Sequence, residues 1–247
     1  MRWIYLLGLF QLAIATPLSV DAGVVSEDAV FFEILNPAGT NLNSLEGSEI
    51  QYFSEGVSTL SAPLVVDSLT SNLSTVSGND DEDFFLIDSV GDLNETTGQI
   101  AAGTEIESYF FHIDSSNNNS TDFIGSITFS SEILGVILVD GRGNGTFNNL
   151  SAADSQFGLA TVTYPNRDNS AADFDLRMPD GGFEDTQNSF DNIRISRDLD
   201  TLEINARNVG GIDQLRVFVT AVPEPSTGIL AVFMLIFTTH RHRRRFS

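Results

Sequence analysis

The sequence predicts an all-β body, an antiparallel β-sandwich of the jelly-roll kind, between a signal peptide and one short C-terminal transmembrane helix. Apolar and polar residues alternate with a period of two in several short runs, as in half-buried strands. Clusters of Gly, Asn, Asp and Ser separate these runs, and 19 phenylalanines are available to fill a core. Few segments carry a sustained helical stripe, and we find no repeat of fixed period that would indicate a propeller or solenoid.

The N-terminal residues 1–22 predict a secretory signal peptide. Arg2 supplies a positive charge, and the apolar run Trp3–Ile14 follows it. Two small-residue cleavage patterns come next, Ala13-Ile14-Ala15 and Val20-Asp21-Ala22. This order of charge, apolar run and small residues is typical of export signals. We expect cleavage after the second pattern, with the first as the alternative.

The body, residues 23–221, contains most of the predicted strands. A three-strand meander is predicted over residues 192–220, with a turn at 197–200 and polar side chains facing away from its apolar face. Residues 36–61 are rich in Asn, Ser, Glu and Gly, and are predicted as a long loop. The side chains expected to face away are Arg194, Glu203, Asn205 and Arg216. Earlier strands are predicted at residues 29–35, 64–67, 84–87, 105–113, 123–129, 133–139 and 159–164.

Charge and composition limit the partners of this body. The chain has 247 residues, a formal charge of -22, no cysteine and no lysine, because all 12 basic residues are arginine. Between Gly23 and Val222, 32 acidic residues face seven arginines, which gives a formal charge near -25. Such a surface repels nucleic acid and anionic lipid and attracts divalent cations or basic partners. The lack of cysteine excludes disulfides and thiolate metal sites.

The last 26 residues, 222–247, predict a processing and sorting tail. A motif at 222–226 precedes an apolar helix at 227–239 and a basic cytoplasmic end at 240–247. The two prolines remove backbone donors and keep the motif extended and open to a protease. The basic end favours the cytoplasm under the positive-inside rule. The motif consists of Val222, Pro223, Glu224, Pro225 and Ser226, and the basic stop of Arg241, Arg243, Arg244 and Arg245.

The tail resembles the PEP-CTERM sorting signal of Gram-negative, biofilm-forming bacteria, with Pro223-Glu224-Pro225 as the triplet. The resemblance implies that an exosortase, a membrane-embedded cysteine protease, removes the tail near the triplet and delivers the body to the envelope or extracellular matrix. A helix of about 14 residues reaches only about 21 Å of the roughly 30 Å hydrocarbon core, which predicts a temporary tether. Body segments that resemble the shared core of such proteins lie at 103–104, 108–114, 125–129, 133–137 and 213–217.

Catalytic motifs are sparse. The single histidine of the body, His112, lies in an apolar strand run, which excludes multi-His metal centres and favours a packed, hydrogen-bonded side chain. The sequence contains no Gly-x-Ser-x-Gly motif and no phosphate-binding glycine loop. A glycosidase needs only two carboxylates, and the 32 acids of the body single out no pair. Sugar-stacking aromatics are few, because the only tryptophan, Trp3, lies in the signal peptide.

Two acidic loops are candidate Ca²⁺ sites. Asp80, Asp81 and Asp83 lie in the first, and Asp140 and Asn144 lie in the second. Carboxylate and amide oxygens are the ligands that Ca²⁺ prefers. Neither loop follows the EF-hand pattern, so solvated acidic loops are the alternative interpretation. We expect no other cofactor.

These features predict an exported protein without chemistry of its own. Its expected partners are the Sec export machinery, an exosortase, the inner membrane before processing, and exopolysaccharide in the envelope or extracellular matrix. The alternative is a secreted carbohydrate-binding module or a polysaccharide-acting hydrolase, either of them Ca²⁺-dependent.

Overall fold

Alternating apolar residues place most of the described chain in β-strands. The computed structural model divides the chain into one unit made by the two ends, Met1–Val20 with Val222–Ser247, and a body, Asp21–Ala221. The structure describes residues 19–20, 23–35, 37–40, 45, 47–75, 83–87, 90–114, 121–138, 149–164, 192–208 and 212–223.

The strands are β1 (Ser19–Val20), β2 (Val24–Glu27), β3 (Phe31–Glu33), β4 (Ile50–Thr59), β5 (Leu64–Val66), β6 (Ser68–Leu69), β7 (Phe84–Ile87), β8 (Gly98–Ile100), β9 (Glu105–Asp114), β10 (Thr121–Phe129), β11 (Ile133–Ile137), β12 (Asn192–Ser196), β13 (Thr201–Asn208), β14 (Ile212–Thr220) and β15 (Val222–Pro223). The helices are α1 (Val90–Thr96), α2 (Asn149–Phe157) and a 3-10 helix (Thr70–Thr75).

Two large sheets form in the body. One has five antiparallel strands in the order β2-β10-β13-β12-β7, and the other has six strands in the order β3-β4-β9-β14-β11-β6. In the six-stranded sheet, β3 pairs with β4 in parallel and the other neighbours are antiparallel. A small sheet pairs β5 with β8, and β1 pairs with β15 in the unit of the two ends. The all-β prediction is therefore confirmed for the described residues.

The five-stranded sheet has one apolar and one polar face. In β12 and β13, Ile193, Ile195, Leu202 and Ile204 are buried and lie on the same face. The residues between them, such as Arg194, are polar and half-buried. Successive side chains of a strand point to opposite faces, so the polar set lies together on the outer surface.

The six-stranded sheet is buried on both faces. Along β9, every residue after Glu105 is buried. On one face, the ring of Tyr109 packs against Phe129 of the five-stranded sheet, with centroids 5.0 Å apart. On the other face, Phe110 and Phe157 of α2 belong to one buried cluster. Because both faces are covered, apolar residues occur at both odd and even positions of the strand.

Most predicted strands are confirmed. Strand β7 begins and ends at the predicted residues, 84 and 87, and β3, β5, β9, β10 and β11 overlap the predicted ranges. The predicted turn at 197–200 is also present, and Leu199 adopts a left-handed φ of 63° there. Strong alternation and turn residues together locate these elements.

Three predictions are wrong. Residues 36–61 are not a loop, since they contain the 10-residue strand β4, in which every residue but Thr59 is buried or half-buried. Residues 192–220 do not form a meander, because β14 pairs with β9 and β11 in the other sheet. Residues 159–164 form a turn and an isolated bridge from Thr163 to Gly39 instead of a strand. Periodicity gives the face of a strand but not its partner.

The predicted signal peptide, 1–22, lies outside the described residues apart from β1, and the predicted apolar helix, 227–239, lies wholly outside them. Within the part of the chain that the structure describes, no helix combines the length and the apolarity needed to cross a membrane.

Candidate functional site

The sorting motif is described only at its start. Val222 and Pro223 form β15, which pairs antiparallel with β1 at Ser19 and Val20. The other motif residues, Glu224, Pro225 and Ser226, lie outside the described residues, as do Arg241, Arg243, Arg244 and Arg245. The sorting role of this segment therefore stays a prediction.

The Ca²⁺ prediction rests on five residues, of which the structure describes one. Asp83 is exposed before β7, and its backbone carbonyl accepts a hydrogen bond from the Arg197 amide at 2.9 Å. Asp80, Asp81, Asp140 and Asn144 lie outside the described residues. Within the described ranges, no three His, Asp or Glu side chains gather at one point.

A groove of about 340 Å³ lies on the polar face of the five-stranded sheet. Its volume is at the small end of ligand pockets, which span roughly 300–1,000 Å³. Strands β10, β13 and β12 place two rows of side chains across it, because paired residues in antiparallel strands point to the same face. The first row consists of Ile124, Asn205 and Asn192, and the second of Ser126, Glu203 and Arg194.

The charged groups of this groove have defined neighbours. Arg194 Nη1 lies 3.7 Å from Glu203 Oε2, with both side chains more than one third exposed. Asp28 Oδ2 accepts hydrogen bonds from the backbone amide of Ser126 at 2.7 Å and from its hydroxyl at 3.0 Å. With two carboxylates and one guanidinium, the lining carries a net negative charge. Its polar groups are amides, a hydroxyl, carboxylates and one guanidinium, and the exposed Ile124 adds an apolar surface beside them.

A second polar group lies inside the body, on the far face of the six-stranded sheet. The fully buried Arg216 donates from Nε and Nη2 to the two carboxylate oxygens of Glu55, each at 2.7 Å, and from Nη2 to Asp154 of α2 at 3.0 Å. The hydroxyls of Ser108 and Tyr164 donate to the same Glu55 carboxylate at 2.6 and 2.8 Å. Burial lowers the pKa of Arg216, but the charges and hydrogen bonds of Glu55 and Asp154 together outweigh it and raise the pKa overall. This ion pair joins β14, β4 and α2.

A β-bulge brings Glu55 to this position. Ser54 pairs with Tyr109 and Gly56 pairs with Ser108, so Glu55 is the extra residue of β4. Gly56 has a φ of 90°, which a glycine adopts without the steric cost that a Cβ imposes. Bulges redirect side chains in this way, and here the redirected carboxylate reaches a buried cation.

His112 is packed rather than placed beside a nucleophile. It is buried in β9, and its Nδ1 lies 2.9 Å from Gln214 Nε2, which also donates to the Thr40 carbonyl at 2.6 Å. Because an amide nitrogen only donates, Nδ1 faces Gln214 as the acceptor. The other ring nitrogen, Nε2, is 3.8 Å from Asp114 Oδ2. The geometry agrees with the expected packed histidine.

Sequence reasoning missed both the groove and the buried ion pair. It placed Arg216 on the face opposite Leu215 and Val217, which is correct, but α2 covers that face and buries the guanidinium. The sequence does indicate that this face is buried, because Phe218 lies two residues after Arg216, on the same face of β14, and is apolar. The sequence also predicted that Asn205 lies on the polar face, but it did not predict that Asn192 of β12 lies beside it.

Comparison with known proteins gives no relative: the chain matches no protein-family model, no curated protein and no solved structure.

Proposed function

We propose that this chain is an exported cell-envelope or extracellular-matrix protein, sorted by an exosortase, whose acidic β body associates with exopolysaccharide without catalysing a reaction. The signal peptide exports the chain through the Sec machinery. The C-terminal helix tethers it to the inner membrane, with the arginines in the cytoplasm, until the tail is removed near Pro223-Glu224-Pro225.

The position of the unit boundaries carries this proposal. The two ends, Met1–Val20 and Val222–Ser247, belong to one unit and the body to another. These boundaries lie within two residues of the predicted ends of the body, residues 23 and 221. A body that is self-contained between its processing sites can keep its fold after both ends are removed, which supports a role for the ends as sorting signals.

The body is proposed to be a β-sandwich of the jelly-roll type. The ring contact between Tyr109 and Phe129 supports face-to-face packing of the two large sheets. The order of strands supports it too, since the chain leaves one sheet for the other between β9 and β10 and again between β10 and β11. Sandwiches of this kind present one sheet face to solvent, where a polysaccharide can lie.

The engagement of the groove carboxylates supports the non-catalytic part of the proposal. A glycosidase needs one carboxyl group that gives up a proton and a second that acts as base or nucleophile. Here Asp28 accepts two hydrogen bonds from Ser126, and Glu203 lies beside Arg194. Asp28 is thus held by two donors and Glu203 lies beside a cation, which suits binding better than proton transfer.

Intact mass of the exported protein tests the sorting claim. We expect loss of the N-terminal signal after Ala22 or Ala15 and loss of the C-terminal segment near Glu224. A control with Pro223 and Pro225 both replaced by alanine should keep its tail, because the extended, donor-free motif is gone. A mature wild-type protein that retains its terminal arginines would refute the processing claim.

A further inference from the structure

We propose that the groove on the outer face of the five-stranded sheet binds a neutral polysaccharide chain through its hydroxyl groups. This inference rests on the proposed function, and it gives the site and the chemical class of the exopolysaccharide contact. The groove is defined by the row of Ile124, Asn205 and Asn192 and the row of Ser126, Glu203 and Arg194.

Hydrogen-bond chemistry points to hydroxyls. Asn205 and Asn192 are direct neighbours on adjacent strands, which lie about 4.8 Å apart. A side-chain amide both donates and accepts, as does a sugar hydroxyl, so two neighbouring amides can meet adjacent hydroxyls of one ring. Ser126 and Glu203 in the next row add further groups of the same kind. One polysaccharide chain can therefore contact both rows of side chains.

The groove also offers a surface for the apolar side of a sugar ring. Ile124 is 65% exposed at the end of the amide row. A pyranose presents C–H groups on its ring faces, and these can pack on Ile124 while the hydroxyls reach the amides. Because no aromatic ring is among the described residues that line this groove, each sugar contributes little, and a polymer that engages several rings is favoured over a monosaccharide.

Charge selects neutral over anionic polymers. Asp28 and Glu203 outnumber Arg194 in the lining, and the whole chain carries a formal charge of -22. A uronate or sulfate would meet repulsion both locally and from the surrounding surface. The one guanidinium already lies 3.7 Å from Glu203, so it offers no isolated anion site.

The position of the groove disfavours a peptide. Each of its three strands has a neighbour on both sides: β10 lies between β2 and β13, β13 between β10 and β12, and β12 between β13 and β7. Addition of a peptide strand needs an exposed sheet edge with unpaired backbone groups. The groove therefore lies on a sheet face and not at a sheet edge, which suits a ligand recognised by its hydroxyls.

Affinity gel electrophoresis tests the inference with the exported protein, whose negative charge drives it through native gels. The probes are three soluble neutral polysaccharides, dextran, a mixed-linkage β-glucan and galactomannan, with alginate as the anionic comparison. The double variant N192A/N205A and the variant I124E alter exposed or half-buried groove positions. Gln99→Ala removes an exposed strand amide outside the groove and serves as the matched control. Urea unfolding midpoints show whether each variant remains folded.

We expect at least one neutral polysaccharide to retard the protein, with an apparent Kd about tenfold weaker in N192A/N205A and in I124E and unchanged in Q99A. Three outcomes overturn the inference: no retardation by any neutral polymer, retardation by alginate alone, or equal retardation of wild type and groove variants. Self-association in sedimentation that I124E abolishes would assign the groove to a second copy and also overturn it. Mass analysis reports separately on sorting, and a processed protein that binds glycan equally well with and without the groove substitutions overturns this inference alone.

Discussion

Replacing Arg216 with methionine should destabilise the protein far more than the same replacement at Arg194. Methionine keeps much of the side-chain length but removes the guanidinium, so the carboxylate of Glu55 loses two hydrogen bonds at 2.7 Å. The Glu55 side chain is fully buried and would keep only the hydroxyls of Ser108 and Tyr164 as donors. Removing one partner of a buried ion pair costs about 3–5 kcal/mol.

The matched variant R194M gives the stability cost of losing an exposed ion pair. Arg194 and Glu203 are 41% and 35% exposed and 3.7 Å apart, so solvent screens the pair and its loss should cost about 0–1 kcal/mol. A double variant, R216M/E55M, also removes the buried Glu55 carboxylate and should recover part of the loss, although Asp154 still loses its hydrogen bond from Arg216.

Urea unfolding followed by circular dichroism measures the difference. With a slope of about 2 kcal/mol per molar urea, a loss of about 3–5 kcal/mol lowers the midpoint by roughly 1.5–2.5 M. R194M should leave the midpoint within about 0.5 M of wild type. If R216M loses no more than R194M, or if the double variant is as unstable as R216M alone, the buried ion pair does not act as described.

Two further predictions concern the same region. Burial and the neighbouring Glu55 raise the pKa of the Tyr164 hydroxyl above its ordinary value of about 10, so the unfolded chain loses this proton first and stability falls above about pH 10. The decrease in urea midpoint between about pH 9 and about pH 11 should be smaller in Y164F, and an equal decrease would contradict the assignment. Gly56→Ala and Gly103→Ala, at φ values of 90° and 83° with no atom within 4 Å of the added Cβ, should each cost about 1 kcal/mol of unfolding free energy through the backbone alone. A neutral effect at either position would contradict the left-handed conformation.

How much the sequence predicts depends on what covers each strand. The alternation of β13 is plain, since Leu202 and Ile204 face the core while Glu203 faces solvent, and its position was predicted. Strand β4 was not, because one face meets the second sheet and the other meets α2, and its bulge carries a buried Glu55. When the polar side chains of a strand are hydrogen-bonded inside the protein, a count of apolar residues predicts a loop there.

Each candidate site brings together residues that are far apart in the sequence, and no local sequence pattern predicts which residues will meet. Glu55 and Arg216 are separated by 161 positions in sequence, and nothing near either residue identifies the other. The groove is similar, because Ile124 meets Asn205 only through the register of β10 with β13. The polar faces of β12 and β13 were predicted, but the juxtaposition of faces required the sheet order.

The buried ion pair also affects the surface charge of the body. Of its seven arginines, Arg216 is withdrawn from solvent, and Arg194 lies beside Glu203. Few exposed cations are then left against 32 acidic residues, so long-range attraction cannot draw an anionic polymer to the groove. Recognition there has to come from short-range hydrogen bonds to uncharged groups, which salt screens far less than charge pairs. The acidic body and the hydroxyl-binding groove are therefore compatible features: the first repels anionic polymers and other copies of the chain, and the second holds a neutral one.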